Sequence, residues 1–316
     1  MAVVNAYDIE LATLNYNSAL QLLLQQMDSR FRGSVSSYTG YVGKQVSPVQ
    51  YIGQLAFARA GARGSPLQPQ VAQYQRRWVA PADWDLPVHV DNFDLLRSIV
   101  DPKGALGMSM MAAANRLFDD IIINAFFSTA QIGVDPSSLT TETFDSGSNF
   151  PTSVSVADTF GAGTETGMTA KKIIEGRRIL RHYENDMEAM ECHLALSSTQ
   201  EADLLSQVEV ISREYRDVPV MEDGKIKRFL GCTMHFSERL PYAAGDSDER
   251  LCPMWLTDGM HLGIWKDFET VISQRNDLTG HPWQAYSTIT AGATRMQAGK
   301  VIKISCLDPV GGPIAN

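Results

Sequence analysis

Residues 102–128 read PKGALGMSMMAAANRLFDDIIINAFFS and predict the longest helix of the chain. Asp101 precedes this stretch as an N-cap, and Pro102 suits the first helical turn, where a missing N–H leaves no hydrogen bond unmade. The stretch is apolar almost all round and rich in alanine and methionine. Its methionines could line a ligand groove, but methionine more often fills a core. We therefore expect a helix that neighbouring elements cover on several sides.

The chain after this helix mixes shorter helices with strands. Residues 131–167 predict a long loop with short strands, and Thr169 caps a helix that runs to about Glu184. Ser198 or Thr199 begins another helix. The basic residues expected on the exposed face of the Thr169-capped helix are Lys171, Lys172, Arg177 and Arg178. Predicted strands are 192–196, 229–236, 253–256, 260–265, 270–273, 284–294 and 300–306. The βαβ alternation of a doubly wound sheet is missing, so the sequence predicts an α+β fold.

Turn residues add detail to this prediction. Asp223-Gly224 and Asp258-Gly259 are typical of hairpin turns, the second between strands 253–256 and 260–265. Residues 78–90 contain two prolines, which we expect to limit regular structure there.

The charge of the chain is unevenly distributed. The formal net charge is −9, which argues against a nucleic-acid-binding protein. No aspartate or glutamate lies between Ser29 and Ala82. The basic residues in that acid-free segment are Arg30, Arg32, Lys44, Arg59, Arg63, Arg76 and Arg77. Such a segment can be a solvated loop, can fold back on its own acidic body, or can lie on another copy of the chain.

The acid-free segment also predicts a long hairpin. Strand-like runs at 49–57 and 74–79 flank Ala60–Gln70, AGARGSPLQPQ, which is a turn or loop tip. Residues 31–50 suit an extended arm, and Tyr16–Met27 predicts a short helix before it. An isolated two-stranded hairpin is at best marginally stable in water. We therefore expect the hairpin to lie on another surface.

Composition and motifs exclude several classes of protein. With 44% hydrophobic and 20% charged residues, the composition is that of an ordinary globular protein. We expect neither a secretory signal nor a membrane span. Cys192, Cys232, Cys252 and Cys306 lack zinc-type spacing, so we expect reduced, buried thiols.

The sequence holds no recognisable catalytic signature. Phosphate-binding, HExxH and GxSxG motifs are missing, and the glycines of residues 161–167 miss the dinucleotide-binding spacing. Asp246 and Asp248 lack the glycine and closing glutamate of a calcium loop. Asp119 and Asp120 point about 100° apart on a helix and cannot form a tight acid pair. No two of the six histidines are spaced as ligands on one element, so we predict no catalytic residue, metal or cofactor.

Segments spread along the chain resemble the major capsid proteins of tailed bacteriophages with the HK97-like fold. The resemblance rests on their order, because none of them is a catalytic signature. They are LQLLLQQMDSRFRGSV (20–35), RRWVAPADWD (76–85), DLLRSIVDP (94–102), ANRLFDDIIINAFFSTAQIG (114–133), FLGCTMHFSERLP (229–241) and ITAGATRMQAGKVIKISC (289–306).

The resemblance implies a division of the chain into parts. Residues 1–44 would form the N-terminal arm and 45–88 the extended loop hairpin. Residues 89–167 would form the peripheral domain, with its spine helix at about 102–128. Residues 168–250 would form the axial domain, and 251–316 strands shared by both domains plus a C-terminal tail.

The resemblance also implies a function. Subunits of this family assemble as pentamers and hexamers into an icosahedral shell around double-stranded DNA. Arg59, Arg63, Arg76 and Arg77 of the extended loop would contact acidic groups of a neighbouring subunit. Expected partners are other copies, a scaffolding protein, a portal protein and a decoration protein, with only non-specific proximity to packaged DNA and no membrane. The expected location is the virion capsid, after assembly in the host cytoplasm.

Two alternatives remain open from the sequence. An encapsulin-like shell shares the architecture but encloses protein cargo, so the contents of the particle distinguish it. A soluble α+β enzyme with an unrecognised site would run as a small oligomer in gel filtration.

Overall fold

The structure of the protein is a computed structural model. It describes residues 25–53, 55, 57, 69–72, 74–90, 103–145, 153–207, 221–222, 225–245, 248–279 and 281–309. The helices there are α1 (Lys103–Phe127), α2 (Ala170–His182) and α3 (Ser198–Ser206). The strands are β1 (Ser36–Thr39), β2 (Gln50–Ile52), β3 (Tyr74–Trp78), β4 (Ala82–Val90), β5 (Ala130–Ile132), β6 (Thr140–Glu142), β7 (Ser155–Val156), β8 (Cys192–Leu196), β9 (Met221–Glu222), β10 (Lys225–Ile226), β11 (Arg228–Phe229), β12 (Cys232–Phe236), β13 (Glu249–Leu256), β14 (Met260–Gln274), β15 (Trp283–Arg295) and β16 (Val301–Leu307).

The strands form four sheets. The largest has six strands in the order β11-β12-β8-β13-β16-β7. Two four-stranded sheets have the orders β1-β14-β15-β4 and β2-β3-β5-β6, and β9 pairs with β10. Together with three helices this confirms the predicted α+β class.

The described residues fall into two compact units. The first combines residues up to Asp28 with Trp84–Leu117 and Phe268–Ile289, and the second combines Ser29–Asp83, Phe118–Asp267 and the chain from Thr290. Four elements, α1, β4, β14 and β15, contribute residues to both units.

The first unit packs the beginning of α1 against strands. Trp84 and Phe268 line one apolar groove of about 210 Å³ together with Met110 and Leu117 of α1. The side-chain amide of Asn115 also donates to the backbone oxygen of Met27, at 2.8 Å. Met110 of this helix is buried and serves packing, whereas Met108 and Met111 are exposed.

The core of the second unit lies around the six-stranded sheet. Every residue of β8 is buried, because both faces of the sheet are covered. On one face, Gly176 of α2 lies so close to Met254 that an added Cβ would come within 3.0 Å of its sulfur. On the other face, the fully buried Trp255 packs 4.7 Å from the ring of Phe126 and donates to the backbone oxygen of Ser34 at 2.9 Å.

Three helix predictions are confirmed, with small shifts at their ends, whereas most of the helix predicted at Tyr16–Met27 lies outside the described residues. α1 covers the predicted range, although Asp101 and Pro102 lie outside the described residues. Thr169 caps α2 as predicted, since its side chain accepts from the backbone N–H of Lys172. α3 is capped one residue earlier than predicted, by Ser197 in a reciprocal capping box with Gln200.

The predicted strands 260–265 and 270–273 are parts of one continuous strand, β14. Three other predictions about strands and turns were wrong. Residues 229–236 do not form one strand, because Leu230 and Gly231 have φ of 49° and 77° and turn the chain between β11 and β12. Asp258-Gly259 does not close a hairpin, since β13 and β14 belong to different sheets. Residues 82–90 form a nine-residue strand despite Pro87, because β4 lies at the edge of its sheet, where a missing N–H is tolerated.

The packing around the buried side chain of His261 can be tested by lowering the pH and measuring stability. It is 7% exposed and bonds the hydroxyls of Ser36 and Tyr41, at 3.0 Å each. Burial lowers its pKa to about 4. The unfolded chain therefore binds a proton at pH values between about 6.5 and 4 at which the folded protein does not, so stability falls as pH falls through this window.

We expect this single group to lower the free energy of unfolding by up to roughly 3 kcal/mol between pH 7 and pH 4. Denaturant titrations at several pH values would measure it, with His261→Gln as the comparison. The variant should lose that part of the pH dependence. An unchanged dependence would show that His261 is protonated equally in both states.

Candidate assembly surface

The base of the predicted hairpin is an antiparallel strand pair. Gln50 of β2 is opposite Arg76 of β3, and Ile52 is opposite Tyr74. The guanidinium of Arg76 donates to the side-chain oxygen of Gln50 at 2.8 Å, so this pair is held across the ladder on a partly exposed face. β3 continues into the body of the chain, where Arg77 is opposite Ile132.

Arg77 lies inside its own chain. Its side chain and that of Glu142 are each 9% exposed and form an ion pair. The second guanidinium nitrogen of Arg77 donates to the backbone oxygen of Arg295 at 3.2 Å. Burial lowers the pKa of Arg77, while the Glu142 carboxylate acts in the opposite direction.

Arg295 is a second buried cation beside this pair. It is 1% exposed and donates to the backbone oxygens of Phe126 and Ser128, at 2.8 and 3.2 Å. Burial, aided by the charge of Arg77, lowers its pKa to about 10. Glu142 is thus the carboxylate that compensates two buried guanidinium groups, and it fixes the base of the hairpin to the body.

Apolar side chains are exposed to solvent at described residues of the hairpin beyond its base. Leu55 is 62% exposed and the side chain of Phe57 is fully exposed. Large apolar side chains are also exposed in and beside the strand pair at the base, at Val49, Ile52, Val71 and Tyr74. Exposed apolar residues that cluster on one segment mark an interaction surface.

A cavity of about 370 Å³ lies beneath the hairpin base. Its lining joins the two strands to the turn after β15 and to the end of α2, and is partly polar. The lining residues include Tyr51, Gln75, Arg77, Tyr183, Asn185, Gln297 and Lys300. Lys300 is held by an ion pair with Asp258.

The four arginines predicted at an intersubunit contact therefore differ in their surroundings. Arg59 and Arg63 lie outside the described residues. Arg76 is partly exposed at the hairpin base, whereas the buried guanidinium of Arg77 is already paired within its own subunit. The sequence did not indicate Glu142 or Arg295, because neither lies near Arg77 in the chain.

The polar groups considered for chemistry have structural partners. Asp119 accepts from the backbone N–H groups of Arg30 and Phe31, whereas Asp120 forms an ion pair with Arg239. His193 and His235 meet across neighbouring strands, with 3.1 Å between their ring nitrogens. Among the described residues, no group of three or more histidine, cysteine, aspartate or glutamate side chains could hold a metal ion.

A comparison of the sequence with models of protein families shows the family of the chain. A model described as phage capsid protein matches residues 10–308, which is nearly the whole chain. The chain belongs to the phage capsid protein family. This confirms the resemblance seen in the sequence. A phage capsid protein is a structural component of the virion shell and not an enzyme.

Solved structures show that the fold of this phage capsid protein is shared. The capsid of cyanophage P-SCSP1u matches with a TM-score of 0.72 and 11% identity over 95% of each chain. The mature capsid of bacteriophage PhiM1 matches with a TM-score of 0.66 and 14% identity, over 92% of this chain and 90% of the other. The capsid of the native GTA particle matches with a TM-score of 0.67 and 12% identity, over 97% and 99%.

No curated protein sequence matches the chain. Within the part of the chain that the structure describes, no helix has the length and apolar character needed to cross a membrane.

Proposed function

We propose that this phage capsid protein is the major shell subunit of a tailed bacteriophage. In this proposal it assembles with copies of itself, as pentamers and hexamers, into an icosahedral shell around the double-stranded DNA genome. Assembly takes place in the host cytoplasm, with a scaffolding protein present and a portal protein at one vertex. A decoration protein on the finished shell is a further proposed partner.

The hairpin with its exposed apolar side chains is the observation that carries this proposal. A side chain such as Phe57, fully exposed in the single chain, gains roughly 2–3 kcal/mol when a neighbour buries it. The acid-free segment supplies positive charge, while all 36 acidic residues lie outside it. Such complementarity sets register and partner choice between copies. A contact between different surfaces of identical subunits generates a closed ring when its rotation closes, as in a pentamer or a hexamer.

We also propose that the parts implied by the family resemblance apply to this chain. Residues 1–44 would be the arm, 45–88 the extended loop, 89–167 the peripheral domain, 168–250 the axial domain and 251–316 the shared strands and tail. The firmly paired base of the hairpin supports the second of these parts. A buried ion pair between Arg77 and Glu142 ties this base to the body of the subunit.

A substitution at Phe57 tests the role of the exposed limb. We expect Phe57→Ser to leave the folding of the subunit unchanged, because the side chain has no contacts to lose, and to reduce the yield of closed shells about tenfold or more. Circular dichroism would measure folding, and sedimentation would measure shell yield. Phe57→Leu is the matched control and should retain most of the yield. Full assembly of the serine variant would place the contact elsewhere.

The contents of the particle test the proposed function itself. Particles from producing cells would be treated with nuclease to remove external nucleic acid, and then opened and analysed. Protected double-stranded DNA is the expected result. A particle that holds a protein cargo and no DNA would support the encapsulin-like alternative and contradict the proposal.

A further inference from the structure

Two of the four cysteines form a close pair in the buried sheet. Cys192 of β8 and Cys232 of β12 are direct partners in a parallel ladder. Their sulfur atoms lie 2.7 Å apart, and the residues are 3% and 0% exposed. Neighbouring strands are about 4.8 Å apart, which lies within the range of about 4.4–6.8 Å that disulfides span between Cα atoms. The backbone therefore already has the spacing that a bridge needs.

The surroundings of this pair favour a thiolate on one of the two sulfurs. The hydrogen bond from Cys192 lowers the pKa of Cys232 against the opposing effect of burial, and the guanidinium groups of Arg177 and Arg228 lower it further. The same hydrogen bond, together with burial, raises the pKa of Cys192. Cys232 is thus the nucleophile of the pair, because the thiolate and not the thiol attacks an oxidant.

A short edge strand separates the pair from the edge of the sheet. β11 consists of two residues and covers β12 through only two partners, Arg228 with Thr233 and Phe229 with Cys232. Opening so short a strand requires few hydrogen bonds to break, and local openings of this kind are the most frequent in a folded protein. Opening of β11 would move Phe229 away from its position opposite Cys232 and so would admit a small oxidant without global unfolding.

We propose that Cys192 and Cys232 are an oxidative modification site, at which a peroxide-class oxidant converts the two thiols into an intrasubunit disulfide. The Cys232 thiolate attacks one oxygen of hydrogen peroxide, the O–O bond breaks, and a sulfenic acid forms. The leaving hydroxide takes up the proton that the Cys232 thiol had released and departs as the first water. Cys192 then attacks the Cys232 sulfur, the S–O bond breaks, and a second water leaves with the Cys192 proton. Two thiols lose two electrons in total, and one peroxide is reduced to two waters.

The bridge would join strands that are far apart in sequence. It closes the chain between β8 and β12 and so restricts the unfolded state. A subunit made under reducing conditions would gain this constraint once its surroundings become oxidising, without any change in its contacts with other molecules.

The other two cysteines provide an internal comparison. Cys252 is opposite Ile304, and Cys306 is opposite Arg250, so the two cysteines are offset by two residues across an antiparallel ladder. A side-chain hydrogen bond also joins the thiols of Cys252 and Cys306, but diagonal neighbours of this kind are about 7–8 Å apart between Cα atoms, which is beyond the usual span of a disulfide. We therefore expect this pair to stay reduced under conditions that bridge the first.

Peptide mapping of the full-length protein tests the proposal. The reduced protein would be exposed to hydrogen peroxide, its free thiols alkylated in denaturant, and its peptides analysed without reduction. We expect one cross-linked peptide that joins Cys192 to Cys232, and alkylated Cys252 and Cys306. The bridged protein should lose the mass of two hydrogen atoms and should unfold at a higher temperature than the reduced protein. Four alkylated cysteines, or a bridge between other cysteines, would overturn the proposal.

Variants and an unfolded control make the result specific. Cys252→Ala should still form the bridge, whereas Cys192→Ala should not, because it lacks the second thiol of the pair. The chain unfolded in urea should form mixed pairings with the same oxidant, which shows that the oxidant is active. If the Cys192 variant does not fold, the map of the unaltered protein decides alone.

Discussion

Replacing Glu142 with glutamine is expected to lower the free energy of unfolding by about 3–5 kcal/mol, because it leaves buried cations without their counter-charge. Glu142 pairs with Arg77, and the buried Arg295 lies beside them. Neither guanidinium can move to water without breaking the packing at the hairpin base. The change would be measured by denaturant unfolding of the unassembled subunit.

An exposed ion pair of the same chemistry is the matched control. Asp120 pairs with Arg239, and their side chains are 34% and 40% exposed. Asp120→Asn should change stability by no more than about 1 kcal/mol, because water screens and replaces the interaction. Removing both charges of the buried pair, as in Arg77→Met with Glu142→Leu, should recover part of the loss. Equal effects of Glu142→Gln and Asp120→Asn would show that the buried pair is not an important determinant of stability.

Reversing the charges of Arg59 and Arg63 together is expected to abolish shell formation while the subunit remains folded. The two arginines belong to the acid-free segment, and their proposed partners are acidic groups of a neighbouring subunit. Two glutamates would place like charges against each other at every copy of the contact, and such juxtaposition disfavours binding by several kcal/mol. Sedimentation would measure assembly, and circular dichroism would measure folding.

The control for this experiment keeps the charge and changes the side chain. Arg59→Lys with Arg63→Lys should still assemble, with greater sensitivity to salt, because a lysine contact lacks the paired geometry of arginine. Normal shells from the double glutamate variant would refute the proposed contact. Loss of folding in the glutamate variant would mean that these arginines serve their own subunit, as Arg77 does.

The sequence predicted the elements that local residues determine. Helix α1 followed from a long run of apolar residues and helix formers, and Thr169 marked the start of α2 because a cap acts within one turn. The strand β8 and the α+β class were likewise predicted correctly. These features depend on residues that are close together in the sequence, so they can be predicted from the sequence of one chain.

Features set by distant residues could not be predicted in this way. The partner of Arg77 is 65 residues away, so charge alone assigned this arginine to the exposed hairpin. Lys172 was expected on the exposed face of α2, but it is fully buried and donates to the backbone oxygens of Gly167 and Ser305. Together with the backbone oxygen of Thr166, these carbonyl groups replace the water that would solvate the ammonium group of Lys172 in an exposed position. No pattern in the sequence indicates that they lie near Lys172.

The cysteines show the same limit. Cys192 and Cys232 are 40 residues apart and were expected to be isolated buried thiols. Parallel pairing of β8 with β12 brings them together, and this pairing depends on sheet order. The spacing of the cysteines in the sequence argued against a zinc site. It could not indicate a cysteine pair that arises only from the register of two strands distant in the sequence.

Assembly of the purified full-length protein tests the central claim most directly. Sedimentation and negative-stain microscopy would be applied across a range of salt and protein concentrations, with and without crowding agents. The account predicts closed shells of megadalton mass built from one kind of subunit. A protein that stays monomeric or forms only small oligomers under every condition, with its hairpin folded onto its own body, would contradict it.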